Sequence, residues 1–107
     1  MLFRKKPAVI EAMQWDGSAE GATPIINWIL SSSARSARYH EHLMDGDFVA
    51  HPDPYLTIDT PEGTMSATSG DWIIRGVLPE FYPCKPDFFA ATYEQYVKPG
   101  MTFIEKD

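Results

Sequence analysis

The run from Gly70 to Asp87 constrains the fold more than any other part of the chain. Its first half is rich in β-branched and aromatic residues, which is typical of a central strand. This half reads Gly70-Asp71-Trp72-Ile73-Ile74-Arg75-Gly76-Val77. Its second half reads Glu80-Phe81-Tyr82-Pro83-Cys84-Lys85-Pro86-Asp87. This half predicts a short strand over Glu80–Tyr82, then a turn at the single cysteine, and then the start of a helix at Pro86. The run therefore specifies structure better than it specifies chemistry.

Two alternating segments precede this run and predict a β-hairpin. Polar and apolar residues alternate over Tyr55–Asp59 and again over Thr64–Thr68, and Pro61-Glu62-Gly63 supplies the turn between them. Together with the strands expected at Trp72–Val77 and Glu80–Tyr82, they predict a meander of four antiparallel strands.

The first third of the chain predicts one strand and one helix. The segment Ala8–Trp15 nearly alternates from Ile10 onward and is closed by Asp16-Gly17, which favours a strand. Thr23 at an N-cap and Pro24 at the first helical position predict a helix over Pro24–Ser32, in which apolar residues share one face. The middle third is expected to be the least regular part, with a weakly indicated strand over Arg38–Leu43.

A second helix, about ten residues long from Pro86, is predicted by aromatic residues at helical spacing, and it is expected to pack back on the sheet. Met101–Ile104 could add a last strand or form a tail. The predicted fold is α+β: an antiparallel β-meander, as a bent sheet or a partly closed barrel, with two short helices packed on it in a single domain over residues 1–107. Because small sheets leave edges and apolar faces, a homo-oligomer is expected.

Composition excludes several classes of partner. The 107 residues carry a formal net charge of −6, which argues against a sequence-independent grip on duplex DNA and against an anionic membrane surface. No apolar run approaches the length of a membrane span, and no apolar segment of signal-peptide length follows the basic start. One cysteine cannot form an internal disulfide, so a cytoplasmic location is the expectation, and no cofactor is predicted.

Cys84 is the obvious candidate nucleophile. A thiol beside Lys85 and near a helix N-terminus would have its thiolate favoured by the dipole and by the neighbouring cation. The alternative is that Cys84 is a small core hydrophobe between aromatic residues, and this interpretation is favoured because free cysteine is so often buried.

Histidines and paired acids give weaker indications. His40 and His42 would share one face of a strand, with His51 and Asp53 near in sequence, but the spacing of known zinc motifs is absent, so no metal site is predicted. Acid pairs such as Asp45 with Asp47 lie in turn-like sequence, where they more often cap backbone amides.

A binding site has more support than a catalytic one. Local cations lie beside aromatic residues in an otherwise acidic chain, a combination that stacks on a planar ring while pairing with phosphate or carboxylate. The residues predicted to bind such a ligand are Trp72, Arg75, Tyr82, Cys84, Lys85, Asp87, Arg4 and Lys6. The alternative is that the aromatic residues simply form the core and a subunit interface.

With these residues in view, the chain resembles a family of small proteins encoded by tailed bacteriophages and prophages. The matching pieces cover about half the chain. They are Arg4–Pro7, Ile10–Trp15, Leu56–Ile58, Glu62-Gly63, Gly70–Val77, Glu80–Phe88 and Thr92–Glu94. The segment from Ser18 to Pro54 does not follow the sequence pattern of this family. Leu78-Pro79 stands where the family pattern leads us to expect a tighter turn that ends in glycine.

The resemblance implies an origin more than an activity, since small phage proteins of this kind are often accessory factors in the infected or lysogenic bacterial cell. The first hypothesis is a non-catalytic accessory protein that sequesters a small anionic, nucleotide-like ligand such as a host-defence signal. The second is a protein-interaction module that inhibits or redirects a host protein. The third is a Cys84-dependent enzyme.

Overall fold

Two helices and eight strands form the structure, a computed structural model that describes residues 1–4, 8–32, 35–41, 43–45, 48–51, 53–76 and 80–96. In chain order the elements are β1 (Glu11–Gln14), α1 (Ala19–Ser32), β2 (Ala37–His40), β3 (Leu43–Asp45), β4 (Phe48–His51), β5 (Tyr55–Thr60), β6 (Gly63–Ala67), β7 (Trp72–Arg75), β8 (Phe81–Cys84) and α2 (Pro86–Thr92). The predicted α+β class is confirmed, whereas the suggested strand at Met101–Ile104 falls outside the described residues.

All strand pairs are antiparallel, and they form two sheets and a hairpin. One sheet has the order β1-β7-β8, the other has the order β2-β5-β6, and β3 pairs with β4. Neither sheet closes on itself within the described residues. The four strands predicted to form one meander are therefore divided, with β5 and β6 in one sheet and β7 and β8 in the other.

The division between the sheets has a local cause at the turn before β7. Trp15 N donates to Asp71 O at 2.9 Å, and Gly70 N donates to Trp15 O at 2.8 Å. These bonds attach the start of β7 to the end of β1. The β7 strand therefore pairs with β1 and does not extend the sheet that contains β6. Gly70 has φ 92°, a conformation that glycine adopts at little cost.

The predicted hairpin over Tyr55–Thr68 is confirmed. The β5 strand alternates between half-buried and buried residues, and Leu56, Ile58 and Thr60 face inward. Thr60 Oγ1 also donates to Gly63 O at 2.6 Å, which fixes the turn.

Helix α1 starts five residues earlier than predicted, at Ala19 instead of Pro24. The true cap is Ser18, whose Oγ accepts a hydrogen bond from Gly21 N at 2.9 Å. Asp16 Oδ1 in turn accepts from Ser18 Oγ at 2.7 Å and from Ser18 N, and these bonds lower the pKa of Asp16. Thr23, the predicted cap, lies inside the helix and donates to Ala19 O. The prediction was wrong because Thr23-Pro24 imitates a helix start.

The hydrophobic core lies between α1 and both sheets. Its largest fully buried side chains include Trp15, Ile25, Ile29, Leu56 and Phe81. The middle third is more regular than predicted, because β2 pairs with β5 and a further hairpin joins β3 to β4.

Helix α2 begins at Pro86 as predicted but has seven residues, and none of its side chains is buried. It contacts the sheet through Phe89, which stacks on Trp72, while Phe88 is 65% exposed. Neither α1 nor α2, the helices of the described residues, is long and apolar enough to cross a membrane.

Candidate functional site

Three of the predicted site residues share one face of the β1-β7-β8 sheet. Trp72 lies opposite Cys84, and Ile74 lies opposite Tyr82, in the register of β7 with β8. Cross-strand partners project to the same side of a sheet, so Trp72, Tyr82 and Cys84 lie on the face away from Ile73, a core residue. We call this side the outer face.

An open groove of about 780 Å³ runs between the end of the outer face, the chain before β1 and the chain after α2. We call it the aromatic groove. It is lined by Ala8, Val9, Ile10, Ala12, Trp72, Phe89, Thr92, Tyr93, Glu94, Gln95 and Tyr96. Its volume lies within the range of ordinary ligand pockets, about 300–1,000 Å³, although it is open on one side.

A stack of three aromatic rings forms one wall of the aromatic groove. The rings of Trp72 and Phe89 are parallel within 6°, with centroids 4.1 Å apart. Tyr93 lies next, with its centroid 5.1 Å from that of Phe89 at an angle of 35°. Phe89 therefore covers one face of the Trp72 indole. A ring bound in the aromatic groove would contact the parts of these three side chains that the stack leaves open.

Arg75, a predicted ligand-binding cation, faces an acidic partner across the sheet. Its Nη1 donates to Glu11 Oε1 at 3.2 Å, in a pair that the β1 and β7 register places side by side. The Nε of Arg75 is buried without a hydrogen-bond partner. Arg75 does not line the aromatic groove.

Lys85 is held by a buried carboxylate. Its Nζ lies 3.0 Å from Asp71 Oδ2 and donates to Thr68 Oγ1 at 3.1 Å. Asp71 is only 2% exposed, and its Oδ2 also accepts from Thr68 N at 2.9 Å. This cluster fixes the turn before β7. Asp71 was not among the predicted site residues, because an acid after Ser69-Gly70 is typical of an ordinary turn.

Tyr82 is also bound within the protein. Its hydroxyl donates to Glu80 Oε2 at 2.5 Å, and this bond, together with desolvation, raises the pKa of Tyr82 to about 12. The phenol therefore stays protonated at neutral pH, with its one donor engaged.

Asp87 and Arg4, two further predicted residues, do not line the aromatic groove. Asp87 Oδ1 accepts from Phe88 N at 2.9 Å, a local bond at the start of α2. Arg4 is exposed, and Lys6 lies outside the described residues. Of the predicted residues that the structure describes, only Trp72 lines the aromatic groove.

The other aromatic residues of the groove, Phe89, Tyr93 and Tyr96, were interpreted from the sequence as one face of a helix that packs on the sheet. Their spacing predicted one face of a helix about ten residues long, but α2 stops at Thr92, so Tyr93 and Tyr96 lie beyond its end. Tyr96 is consequently 54% exposed beside the groove.

His40 is engaged with its neighbours on β5. Its Nε2 lies 2.9 Å from Thr57 Oγ1, and its ring stacks on Tyr55 with centroids 4.5 Å apart. Across the part of the chain that the structure describes, no three His, Cys, Asp or Glu side chains come close enough to hold a metal ion.

Cys84 lies at the end of β8, half-buried, with its Sγ 3.6 Å from Lys85 O. Burial raises the pKa of the Cys84 thiol, and the charges of Asp71 and Asp87 raise it further. The expectation that Lys85 favours the thiolate is therefore wrong, because the Lys85 amine is directed to Asp71.

We expect Cys84 to react slowly with iodoacetamide at neutral pH. The thiolate is the nucleophile, so a raised pKa lowers its share, and the pH midpoint of alkylation should lie above that of an ordinary cysteine. Rates measured by mass spectrometry across a pH series give this midpoint. Asp87→Asn should lower the midpoint, since one anion is removed, while Cys84→Ser should abolish labelling. A midpoint below the ordinary value would contradict the expectation.

No protein-family model, curated protein or solved structure matches the chain.

Proposed function

We propose that the protein is a non-catalytic binding protein whose aromatic groove takes a short apolar segment of a partner protein, flanked by basic residues. The observation that carries the proposal is the composition of the groove. Apart from Glu94, the described residues that line it bear no formal charge, and they include four aromatic side chains. Aromatic residues dominate the energetics of protein interfaces.

The charges around the groove favour a basic flank on the partner. Glu94 is exposed in the groove lining, and the whole chain carries a net charge of −6. Complementary charge raises the rate of association and selects among partners that share an apolar motif.

A small anionic ligand is the second candidate, because Tyr93 and Tyr96 could stack on a planar ring in the groove. It has less support, since Arg75 and Lys85 already pair with Glu11 and Asp71. Calorimetry against cyclic and linear nucleotides tests it, and absence of heat at high protein concentration would count against it.

The resemblance to phage and prophage proteins supports the biological setting that we propose. In that setting the protein is an accessory factor in the cytoplasm of an infected or lysogenic bacterium, and its partner is a host protein. An enzyme dependent on Cys84 has little support from the raised pKa of the thiol. Should an activity be detected, Cys84→Ser would abolish it with little loss of stability only if the thiol is the nucleophile.

We expect Tyr96→Ala to weaken the binding of apolar, basic-flanked peptides by about tenfold, because one exposed ring of the groove is lost. The matched control is Phe88→Ala, which removes a ring of similar exposure that does not line the groove and should leave affinity unchanged. Calorimetry with a library of such peptides measures both variants.

Charge reversal makes the same test specific for the flank. Glu94→Lys should weaken the binding of peptides with a basic flank and should leave the binding of the same peptides with a neutral flank unchanged. If no library peptide binds, or if Tyr96→Ala and Phe88→Ala weaken binding equally, the groove is not the binding site.

A further inference from the structure

The first four residues expose an apolar segment almost completely. Met1, Leu2 and Phe3 are 107%, 101% and 88% exposed, and Arg4 follows them. We call residues 1–4 the arm. Three consecutive large apolar side chains in water are unfavourable, and an apolar cluster of this kind is typical of a segment that binds another surface.

We propose that the arm of one copy occupies the aromatic groove of a second copy, so that two copies exchange arms and form a dimer. The inference rests on the proposed function, because it requires a groove that accepts apolar segments. It adds that one such segment belongs to this chain.

The chemistry of the arm matches that of the groove. The arm offers Leu2 and Phe3 to a groove walled by Trp72, Phe89 and Tyr93. In the sequence, the three cations Arg4-Lys5-Lys6 follow these apolar residues, and the groove lining contains the carboxylate of Glu94. Because the net charge of −6 already includes those cations, the rest of the chain is more acidic still.

The position of the arm favours a second copy over its own groove. Ala8 and Val9 line the groove, so the arm begins only a few residues from it, yet the near-complete exposure of residues 1–3 places them outside it. In a dimer with a twofold axis, each copy receives the arm of its neighbour and gives its own in return.

Sedimentation equilibrium over a concentration series tests the exchange. We expect the full chain to dimerise, and Leu2→Ala/Phe3→Ala to raise the dimer dissociation constant at least about tenfold, because two buried side chains are truncated. Glu94→Lys/Tyr96→Ala, which alters exposed groove residues, should do the same. Leu30→Ala is the matched control, since Leu30 is an exposed apolar residue of α1 outside the groove, and it should change nothing.

Mixing the two double variants makes the test specific and independent of folding. The arm variant keeps an intact groove, and the groove variant keeps an intact arm, so the mixture regains one of the two contacts. Native mass spectrometry should detect a mixed dimer at concentrations where each variant alone is monomeric. A chain that stays monomeric, an arm variant that dimerises like the parent, or a mixture without mixed dimer would overturn the proposal.

A peptide of residues 1–6 separates this inference from the proposed function. It should bind the arm variant and should be displaced by library peptides that bind the groove. Binding of library peptides without binding of the 1–6 peptide would leave the proposed function intact and overturn the exchange. Failure of every peptide would overturn both.

Discussion

Replacing Trp15 with alanine should lower the free energy of unfolding by about 3–5 kcal/mol, the range for truncating a large aromatic residue in a core. Trp15 is fully buried, and its ring meets Tyr39 edge to face with centroids 6.2 Å apart. Its Nε1 also donates to Ser18 O at 2.8 Å, beside the cap of α1. The substitution thus opens a cavity and removes a bond that connects β1 to the start of α1.

Urea denaturation followed by circular dichroism measures this loss. Trp15→Phe is the matched variant, since it keeps an aromatic ring but loses the indole donor. Its free energy of unfolding should lie between those of the parent protein and Trp15→Ala. If Trp15→Ala has no folded baseline, the Trp15→Phe result still tests the expectation. A loss below about 1 kcal/mol for Trp15→Ala would contradict the role given to this side chain, because such small effects are typical of surface substitutions.

Replacing Asp71 with alanine should lower the free energy of unfolding by about 2–3 kcal/mol, because the half-buried Thr68 amide and the Lys85 amine lose their buried acceptor. Lys85 is 62% exposed and can return to water, so most of the loss comes from the turn itself. The turn also positions Asp71 O and Gly70 N on Trp15, and we therefore expect the effect to spread to the β1-β7 pairing.

Two variants separate the charge of Asp71 from its hydrogen bonds. Asp71→Asn keeps an oxygen that can accept from Thr68 N and should cost less than Asp71→Ala. Asp87→Ala removes an exposed carboxylate whose bond is local to α2, and it should change stability by less than about 0.5 kcal/mol. Urea denaturation measures the free energy of unfolding of each variant. If Asp71→Ala and Asp87→Ala lower it equally, the bonds of Asp71 to Thr68 and Lys85 do not stabilise the protein more than an exposed carboxylate does.

The sequence was sufficient to predict most of the elements, because their signals are local. Alternation over Tyr55–Thr68 and the turn at Pro61-Glu62-Gly63 correctly predicted the hairpin, and Pro86 correctly marked the start of α2. Helix α1 was predicted with the wrong start, since Thr23-Pro24 has the composition of a cap while Ser18 is the actual one. Local composition does not show which of two competing caps the tertiary structure selects.

The pairing of the strands and the site depended on contacts that are distant in sequence. The attachment of Trp15 to Gly70 and Asp71 decides which sheet receives β7, and it has no local signature. The cations at Arg75 and Lys85 were predicted to bind a ligand, but their partners Glu11 and Asp71 lie 64 and 14 residues away. Among the predicted residues in the described part of the chain, Trp72 alone lies in the aromatic groove.

The pairing of β1 with β7 has a consequence for biosynthesis. Glu11 lies opposite Arg75, so β1 leaves the ribosome well before the strand that it pairs with, and the β1-β7-β8 sheet can form only after β8 has emerged. At translation rates of about 5–20 residues per second, several seconds pass between the synthesis of β1 and that of its partner strand. During that interval Trp15 and the apolar face of α1 are open to chaperones, which makes the nascent chain the state of this protein most exposed to aggregation.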